Sequence, residues 1–467
     1  MTDRIAANAS AAEARVLGRH LRDLVGRRRH ADFELRDRDP VGILEEQHVT
    51  RLQGLIPVRI GRMLQSPFAY YRGTAAVMAH DLATAPVTGH HVVICGDAHI
   101  SNFGLFASPE RRVLFDLNDF DEASVGPWEW DVKRMAASVY IGARDNNYTE
   151  EQAASATEAA VRRYRETMAT LEQRSAIERY FFQVETDWLE TTVSSDEQKI
   201  LRKTVRKARQ RTSDQVLEKI TTTDGDAGLR IKDQPPVMMH VDHASDAEIE
   251  ALYAQYRSTL RADTALLLSQ FTPTDYVLRV VGVGSVGTRC YVLLLTGPAG
   301  EPLFLQAKEA PASVIETYGG ISEQLPAVVP PVDTGHQGYR VVSAQRILQA
   351  QSDPFLGWIG GFAGETAERR GVDYYWRQFR DMKGSVDLQG LTSSQFQTYA
   401  ALCGAVLARA HSQSPGTAVI SGYLGASTRF DVAVTEWSKA YADQIEQDFA
   451  AVEKAARQGR LPMQPGV

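Results

Sequence analysis

The chain has 467 residues, of which 43% are hydrophobic, and its formal net charge is -7. A chain of this length can bury a large core and usually forms two or three domains. The acidic balance argues against a protein that binds nucleic acid mainly through charge. The local basic run at 199–211 is interpreted as a solvated helix face.

Cysteine content and hydropathy suggest a location for the protein. Cys95, Cys290 and Cys403 are widely separated and show no C-x-x-C spacing, so we predict neither a disulfide framework nor a zinc site. No stretch approaches the roughly 20 apolar residues that would span a bilayer. We therefore expect a soluble, unprocessed, cytoplasmic protein without a membrane partner.

Two periodicities divide the chain into helices and strands. Leucines at 17, 21 and 24 repeat at the spacing of one helical face, and residues 148–221 contain no Gly or Pro, which favours helices. Residues 358–457 also show mostly helical patterns. Short apolar runs bounded by Gly, Pro or Ser predict strands elsewhere. The predicted strands span residues 91–95, 103–107, 112–117, 276–281, 289–295, 303–308 and 339–348.

A polar loop at 96–102 lies between a predicted buried strand and a predicted hairpin. Phosphoryl transfer needs a carboxylate to orient the acceptor hydroxyl, with a carbonyl oxygen and a second carboxylate to hold magnesium. Asp97 and Asn102 could meet the first two needs, or they could simply cap a turn. An acidic cluster that could meet the third need follows the hairpin and comprises Asp116, Asp119, Asp121 and Glu122.

Two motifs carry a resemblance to a known fold. Gly96-Asp97-x-His99-x-x-Asn102 resembles the catalytic loop of the aminoglycoside phosphotransferase and choline kinase branch of the protein-kinase-like fold. The segment 119–123, followed by Gly126-Pro127 and Asp131, resembles the metal-binding segment of that branch. The implied roles are Asp97 as catalytic base, Asn102 and Asp119 as magnesium ligands, and Asp131 as a brace for the catalytic loop.

Some assignments stay open. The main metal ligand is either Asp119 or Asp116. The stretch between Asn102 and Asp119 is longer than in those kinases, so Asp116 fits the hairpin spacing better. The spacing to Gly126, Pro127 and Asp131 favours Asp119. Asp121 is either a further metal ligand or a residue that supports the metal ligands without contacting the metal. His99 belongs to the expected catalytic loop and could be a metal ligand, but a hydrogen bond that orders the loop is the favoured role.

A glycine-rich turn and a lysine predict the second half of the site. Gly282, Gly284, Ser285 and Gly287 lie between two predicted strands, where backbone N–H groups could approach phosphate oxygens. A dinucleotide-binding turn would be followed by a helix, whereas a strand is predicted to follow this one, which favours the kinase type of turn. A plain hairpin without a ligand is also compatible with the pattern. Lys308, at the end of a predicted strand, is the candidate that binds phosphate. Glu316, on the next predicted helix, is the expected partner that holds Lys308 in position.

These parts are in the wrong order for an ordinary kinase, because the glycine-rich half follows the catalytic loop. The helix at 399–411 resembles the one that ordinarily leads into that loop, so the resemblance implies a circular permutation. The expected fold is α+β: a two-lobed, circularly permuted protein-kinase-like fold with a helical insertion. The expected regions are 1–135 (N-terminal helices and catalytic loop), 136–265 (helical insertion), 270–350 (β-rich nucleotide-binding lobe) and 351–467 (remaining helices).

A second resemblance covers most of the chain. Arg62-Met63-x-x-Ser66-Pro67-Phe68 with Arg72-Gly73, and Arg377-Gln378 with Asp381-Met382-Lys383, resemble an uncharacterised bacterial family, domain of unknown function 2252. This family supplies no substrate.

The sequence therefore predicts a phosphotransferase that uses ATP and Mg²⁺ and acts on a hydroxyl of a small molecule or a protein. Alternatives are a kinase-like enzyme that donates AMP and a nucleotide-binding pseudokinase that regulates a partner. A metallophosphoesterase is a weaker alternative, since the later metal-binding motifs of that class are absent from the sequence.

Overall fold

The computed structural model describes residues 9–35, 38–184, 206, 220–223, 229–240, 246–280, 282–322, 335–360, 372–379 and 384–464. Within these ranges a helical body adjoins a six-stranded antiparallel sheet, so the mixed α and β composition is confirmed. The helices are α1 (Ala11–Leu24), α2 (Pro40–His48), α3 (Ile56–Met63), α4 (Pro67–Gly73), α5 (Ala75–Leu82), α6 (Trp128–Asp145), α7 (Glu150–Glu172), α8 (Ala176–Phe181), α9 (Asp246–Ser258), α10 (Ala262–Leu268), α11 (Val314–Thr317), α12 (Gln337–Leu348), α13 (Ser393–His411), α14 (Thr417–Leu424) and α15 (Arg429–Arg457). The strands are β1 (His91–Ile94), β2 (Phe103–Ala107), β3 (Val113–Leu117), β4 (Ser124–Pro127), β5 (Thr221–Thr223), β6 (Leu229–Ile231), β7 (Met238–Met239), β8 (Thr272–Arg279), β9 (Cys290–Thr296), β10 (Pro302–Glu309), β11 (Gly357–Gly360) and β12 (Asp373–Gln378).

The predicted N-terminal helix is confirmed as α1. Ser10 caps it and forms a reciprocal pair of hydrogen bonds with Glu13, which satisfies backbone donors at the helix start. Leu17 and Leu21 pack against α14, as the leucine spacing predicted. Leu24, the third leucine of the pattern, is the last residue of the helix and is 72% exposed.

The helical body forms around α6, which is buried along nearly its whole length. Helix α7 packs against α6 and α13, and α15 crosses both α6 and α7. The domain boundary expected at residues 135 and 136 falls inside α6. Residues 136–172 therefore belong to the helical body, because their apolar faces are buried in the same core as the other helices. Most of 185–219 lies outside the described residues.

The main sheet has the strand order β11-β12-β10-β9-β8-β7, with antiparallel pairing throughout. Alternate residues of a strand point to opposite faces. Accordingly, Leu293 and Leu295 of β9 pack beneath α9, whereas Val292 and Leu294 pack with Phe304 on the other face. The predicted strands at 289–295 and 303–308 are thus confirmed, and β8 ends before Val281, which is outside the described residues.

The strand predicted at 339–348 was wrong, because this segment forms helix α12. The ring of His336 caps the helix by accepting a hydrogen bond from the backbone N–H of Tyr339. The buried residues Val341, Ala344 and Leu348 recur at helical spacing. The adjacent β-branched pair at 341 and 342 resembled a strand, but packing on a helix face decided the structure.

The predicted strand at 91–95 and the predicted hairpin are confirmed as β1 and the pair β2–β3. Strand β1 pairs with β4, and Phe103 lies opposite Leu117 in the hairpin. The backbone N–H of Asn118 donates to the carbonyl of Asn102 at 2.9 Å. The loops that follow β1 and β3 therefore lie side by side.

No helix within the described ranges has the length and apolarity needed to cross a membrane. Cys95, Cys290 and Cys403 are all buried and unpaired.

Candidate active site

The loop after β1 is held by a carboxylate at the start of α6. The backbone N–H groups of Cys95 and Gly96 donate to the two oxygens of Asp131 at 2.7 and 2.9 Å, and the ring of His411 lies 3.2 Å from the same carboxylate. Gly96 has φ +75°, and a Cβ there would lie 2.1 Å from the carbonyl oxygen of Glu122. Only glycine fits this close approach. The brace role of Asp131 is thus confirmed.

Asp97 is fixed through one carboxylate oxygen. Its Oδ1 accepts a hydrogen bond from Nε of Arg134 at 2.8 Å, and Arg134 also donates to the carbonyl of Tyr71 and stacks on its ring at 3.9 Å. Burial opposes the charge on Arg134, but Tyr71 and Asp97 raise the pKa of its guanidinium above the usual value. Among the described residues Oδ2 of Asp97 accepts no hydrogen bond, although Nε2 of His99 lies 3.8 Å from it, and 23% of the Asp97 side chain is exposed. That oxygen is available to a ligand.

His99 does not supply the side-chain hydrogen bond that we expected to order the loop. Its Nε2 is 3.8 Å from Asp97, and its Nδ1 is buried with no partner among the described residues. Burial lowers the pKa of His99 to about 4, so the ring is neutral near pH 7. The loop is ordered instead by main-chain bonds, from the N–H of His99 to Asp97 and from the N–H of Asn102 to His99.

Asn102 links the two loops of the site. Its Nδ2 donates to the carbonyl oxygens of Asp97 at 3.1 Å and Asp119 at 2.9 Å. These bonds fix the orientation of the amide, because only the NH₂ group can donate. The Oδ1 atom remains for other interactions at the cleft that Asn102 helps to line.

Lys308 reaches this acidic region from β10. Its Nζ is 2.5 Å from Oδ2 of Asp121 and 3.5 Å from Oδ1 of Asp119, and its side chain is 2% exposed. The hydroxyl of Tyr375 donates to the other oxygen of Asp121 at 2.6 Å. Burial favours a neutral amine, but Asp119 and Asp121 raise the pKa of Lys308 well above its usual value. The two predicted halves of the site therefore meet.

The structure does not bring Glu316 to Lys308. Glu316 is exposed, and the ion-pair partners of Lys308 among the described residues are Asp121 and Asp119. The reason lies in how α11 is anchored: the backbone N–H of Val314 donates to the carboxylate of Glu122 at 2.8 Å. This anchoring leaves Glu316 on the outer side of the short helix.

Asp116 also lies apart from the cleft. Its carboxylate accepts backbone N–H bonds from Leu117 and Ala350, both at 2.8 Å, and burial raises its pKa. The side chain of Asp119 is 46% exposed and lines the cleft. Of the two alternatives, Asp119 is the one that a ligand in the cleft can reach.

The glycine-rich turn is anchored at both ends by the segment 51–62. Nη1 of Arg62 donates to the carbonyl of Gly282 at 2.8 Å, and Nη1 of Arg51 donates to that of Val286 at 2.6 Å. Gly282 and Gly287 have φ values of +69° and +91°, which favour glycine. Three of the four predicted turn residues, Gly282, Gly284 and Ser285, line the same cleft as Asp97, Asn102, Asp119 and Asp121.

Residues 51–455 match the model of a family described as an uncharacterized protein conserved in bacteria, DUF2252. This chain belongs to the DUF2252 family. The match covers both the polar loop and the sheet that carries Lys308. Comparison with curated proteins and with solved structures found no match for this DUF2252 chain.

Two residues that hold carboxylates of the DUF2252 cleft in place, Arg134 and Tyr375, were missed in the sequence. Arg134 follows Asp131 by three positions on α6, a spacing that places both on one helix face and could have indicated its role. Tyr375 packs in the core, and its hydroxyl also donates a hydrogen bond to Asp121. In β12, Tyr375 alternates with Tyr374 and Trp376, which pack on the opposite face of the sheet.

No group of three or more His, Cys, Asp or Glu side chains in the described part of the DUF2252 chain is arranged to hold a metal. Mg²⁺ that binds together with phosphates needs only one or two protein carboxylates. Asp119, with its exposed carboxylate, and Asn102, with its remaining oxygen, are ligands of the required chemistry. The residues present are thus compatible with Mg²⁺ carried by a nucleotide.

Proposed function

We propose that this DUF2252 protein is a kinase-like phosphotransferase that moves the terminal phosphoryl group of ATP to a hydroxyl-bearing acceptor and requires Mg²⁺. The observation that carries the proposal is the contact of Lys308 with Asp121 and Asp119, beside the cleft that Asp97 lines. In protein kinases a glycine-rich turn covers the phosphates and the phosphate-binding lysine lies on the third strand. Here the turn joins β8 to β9, and Lys308 lies on β10.

The proposed fold is a circularly permuted kinase-like fold. Support comes from the end of α13, where Ser414 accepts a hydrogen bond from the backbone N–H of Val93 at 2.9 Å across 321 positions. His411, at the end of the same helix, contacts Asp131. Helix α13 thus ends beside β1, the strand that leads into the polar loop, which is the arrangement expected for the proposed permutation.

In the proposed mechanism, Asp97 accepts the proton of the acceptor hydroxyl through Oδ2 while Arg134 holds Oδ1. The acceptor oxygen forms a bond to the γ-phosphorus, and the bond from that phosphorus to the β–γ bridging oxygen breaks. ADP leaves with the electron pair. Lys308 binds phosphate oxygens, and Mg²⁺, held by Asn102 and Asp119, would offset their negative charge.

Thermal unfolding with ATP, with and without Mg²⁺, tests nucleotide binding directly. We expect stabilisation by ATP that is larger with Mg²⁺. Phosphorus NMR of the turnover mixture then identifies the product. ADP with a phosphorylated acceptor supports phosphoryl transfer, whereas pyrophosphate with an acceptor that carries AMP would replace it with nucleotidyl transfer. The absence of nucleotide binding would reject the proposal.

A further inference from the structure

Arg59 is a charged side chain whose environment lacks an opposite charge. It lies in α3, is fully buried, and helps to line the cleft. Its Nη2 donates to the side chain of Gln47 at 2.8 Å and to the carbonyl of Gly73 at 3.2 Å. Within the described ranges its Nε and Nη1 have no hydrogen-bond partner, and no residue there forms an ion pair with it.

Such an arrangement is energetically unfavourable. Buried charges in proteins are normally paired and fully hydrogen-bonded, since desolvation is costly. Burial, reinforced by the nearby charge of Arg51, lowers the pKa of Arg59 well below its usual value. An anion that bonded to Nε and Nη1 would satisfy both donors and neutralise the charge. With respect to the described part of the chain, Arg59 therefore has two donors and a charge that an anionic ligand would satisfy.

Two more guanidinium groups lie on the same wall of the cleft. Arg51 lines it and donates to the carbonyl of Val286 in the glycine-rich turn. Arg72 also lines it, and its Nε is buried without a partner among the described residues. A Cβ at Gly284 would lie 3.3 Å from the carbonyl oxygen of Arg72, so this wall touches the turn.

We propose that Arg59, with Arg51 and Arg72, forms a binding site for a phosphate group on the wall built by residues 51–72. Guanidinium groups present paired donors that match phosphate oxygens, and several of them suit a dianion. These arginines share the cleft with Asp119 and Asp121, but they belong to a different segment from Lys308, whose ammonium is paired with those two carboxylates. The site does not depend on ATP being the ligand, because either a nucleotide or a phosphorylated acceptor could supply the phosphate.

Titration of the full chain with inorganic phosphate and with pyrophosphate, without nucleotide, tests this site. Isothermal calorimetry and thermal unfolding should show saturable binding that Arg59→Met weakens at least about tenfold, the loss of one charged hydrogen-bonding group. Without anion, Arg59→Met should unfold at the same or a higher temperature than the wild type, because it removes an unpaired buried charge. Failure of phosphate to bind, or binding unaffected by Arg59→Met, would overturn the inference.

Three further variants make the test specific. Arg163, exposed on α7, provides a matched control, and Arg163→Met should leave phosphate binding unchanged. Lys308→Met should retain phosphate binding while losing affinity for ATP, and loss of both would place the phosphate at Lys308 instead. If Arg59→Met does not fold, Arg72→Met decides: reduced phosphate affinity supports the site and unchanged affinity rejects it.

Competition between ligands identifies the source of the phosphate. If MgATP displaces bound phosphate, the site holds a phosphate of the nucleotide. If the two bind together, the site receives a phosphate carried by the acceptor. Phosphate binding through Arg59 in a protein that binds no ATP would leave this inference standing and reject the proposed function.

Discussion

The ammonium of Lys308 lies 2.5 Å from Oδ2 of Asp121, although the two residues are 187 positions apart. This ion pair joins the sheet to the helical body and is almost completely buried on the lysine side. Removal of one partner of such a pair leaves an uncompensated charge in a poorly solvated place. The contact is therefore both a structural link and a restraint on the group that we propose binds phosphate.

Lys308→Met should lower the affinity for MgATP and destabilise the fold by about 3 kcal/mol, because Asp121 is left unpaired. The double variant Lys308→Met/Asp121→Asn should recover part of the stability but none of the affinity. Urea unfolding and calorimetry measure the two effects. Glu316→Gln is the control and should change neither quantity; a loss of ATP affinity in that variant would restore Glu316 as a functional partner.

Asp97→Asn should reduce ATP turnover about 1,000-fold, a typical contribution of a positioned acid or base. The asparagine oxygen can still accept the hydrogen bond from Arg134, so the loop should stay folded and MgATP should still stabilise the protein. Steady-state release of ADP and thermal unfolding provide the measurements. Turnover within a few fold of the wild type would show that Asp97 is not the base.

Asp119→Asn should affect Mg²⁺-dependent ATP binding, whereas Asp116→Asn should affect stability. Asp119 lines the cleft, so its variant should lose most of the Mg²⁺-dependent increase in ATP affinity. Asp116 accepts two backbone N–H bonds away from the cleft, so its variant should mainly alter stability. ATP titrations with and without Mg²⁺ compare them, and the reverse ranking would move the metal to Asp116.

Glu122 should make stability depend on pH near neutrality. Burial raises the pKa of its carboxyl to about 7 from the model-peptide value of 4.5, so the folded state binds more protons than the unfolded state in this window. Its contribution to the free energy of unfolding should therefore fall as pH rises from 4.5 to 7, by on the order of 1 kcal/mol per pH unit at most. Urea unfolding of wild type and Glu122→Gln over this range measures the difference, and parallel curves would contradict the shift.

Local patterns in the sequence were sufficient for much of the framework. The strand, polar loop and hairpin around Asp97 and Asn102 follow from short apolar runs and turn residues, and the structure confirms them. The segment 339–348 was misassigned because two adjacent β-branched residues favour a strand locally, while the burial of one helix face decides the outcome. The expected pairing of Glu316 with Lys308 was also wrong because of tertiary contacts. The direction of the Glu316 side chain depends on how Glu122 anchors α11.

The sequence by itself determined which chemical groups are present and where glycine permits unusual backbone, as at Gly96 beside Glu122. Tertiary structure decided which of those groups meet: Lys308 with Asp121, Arg134 with Asp97, and an arginine at 59 buried without a described counter-ion. Backbone preferences act over a few neighbouring residues, whereas charge pairing depends on distance and solvent access after the helices and the sheet have packed.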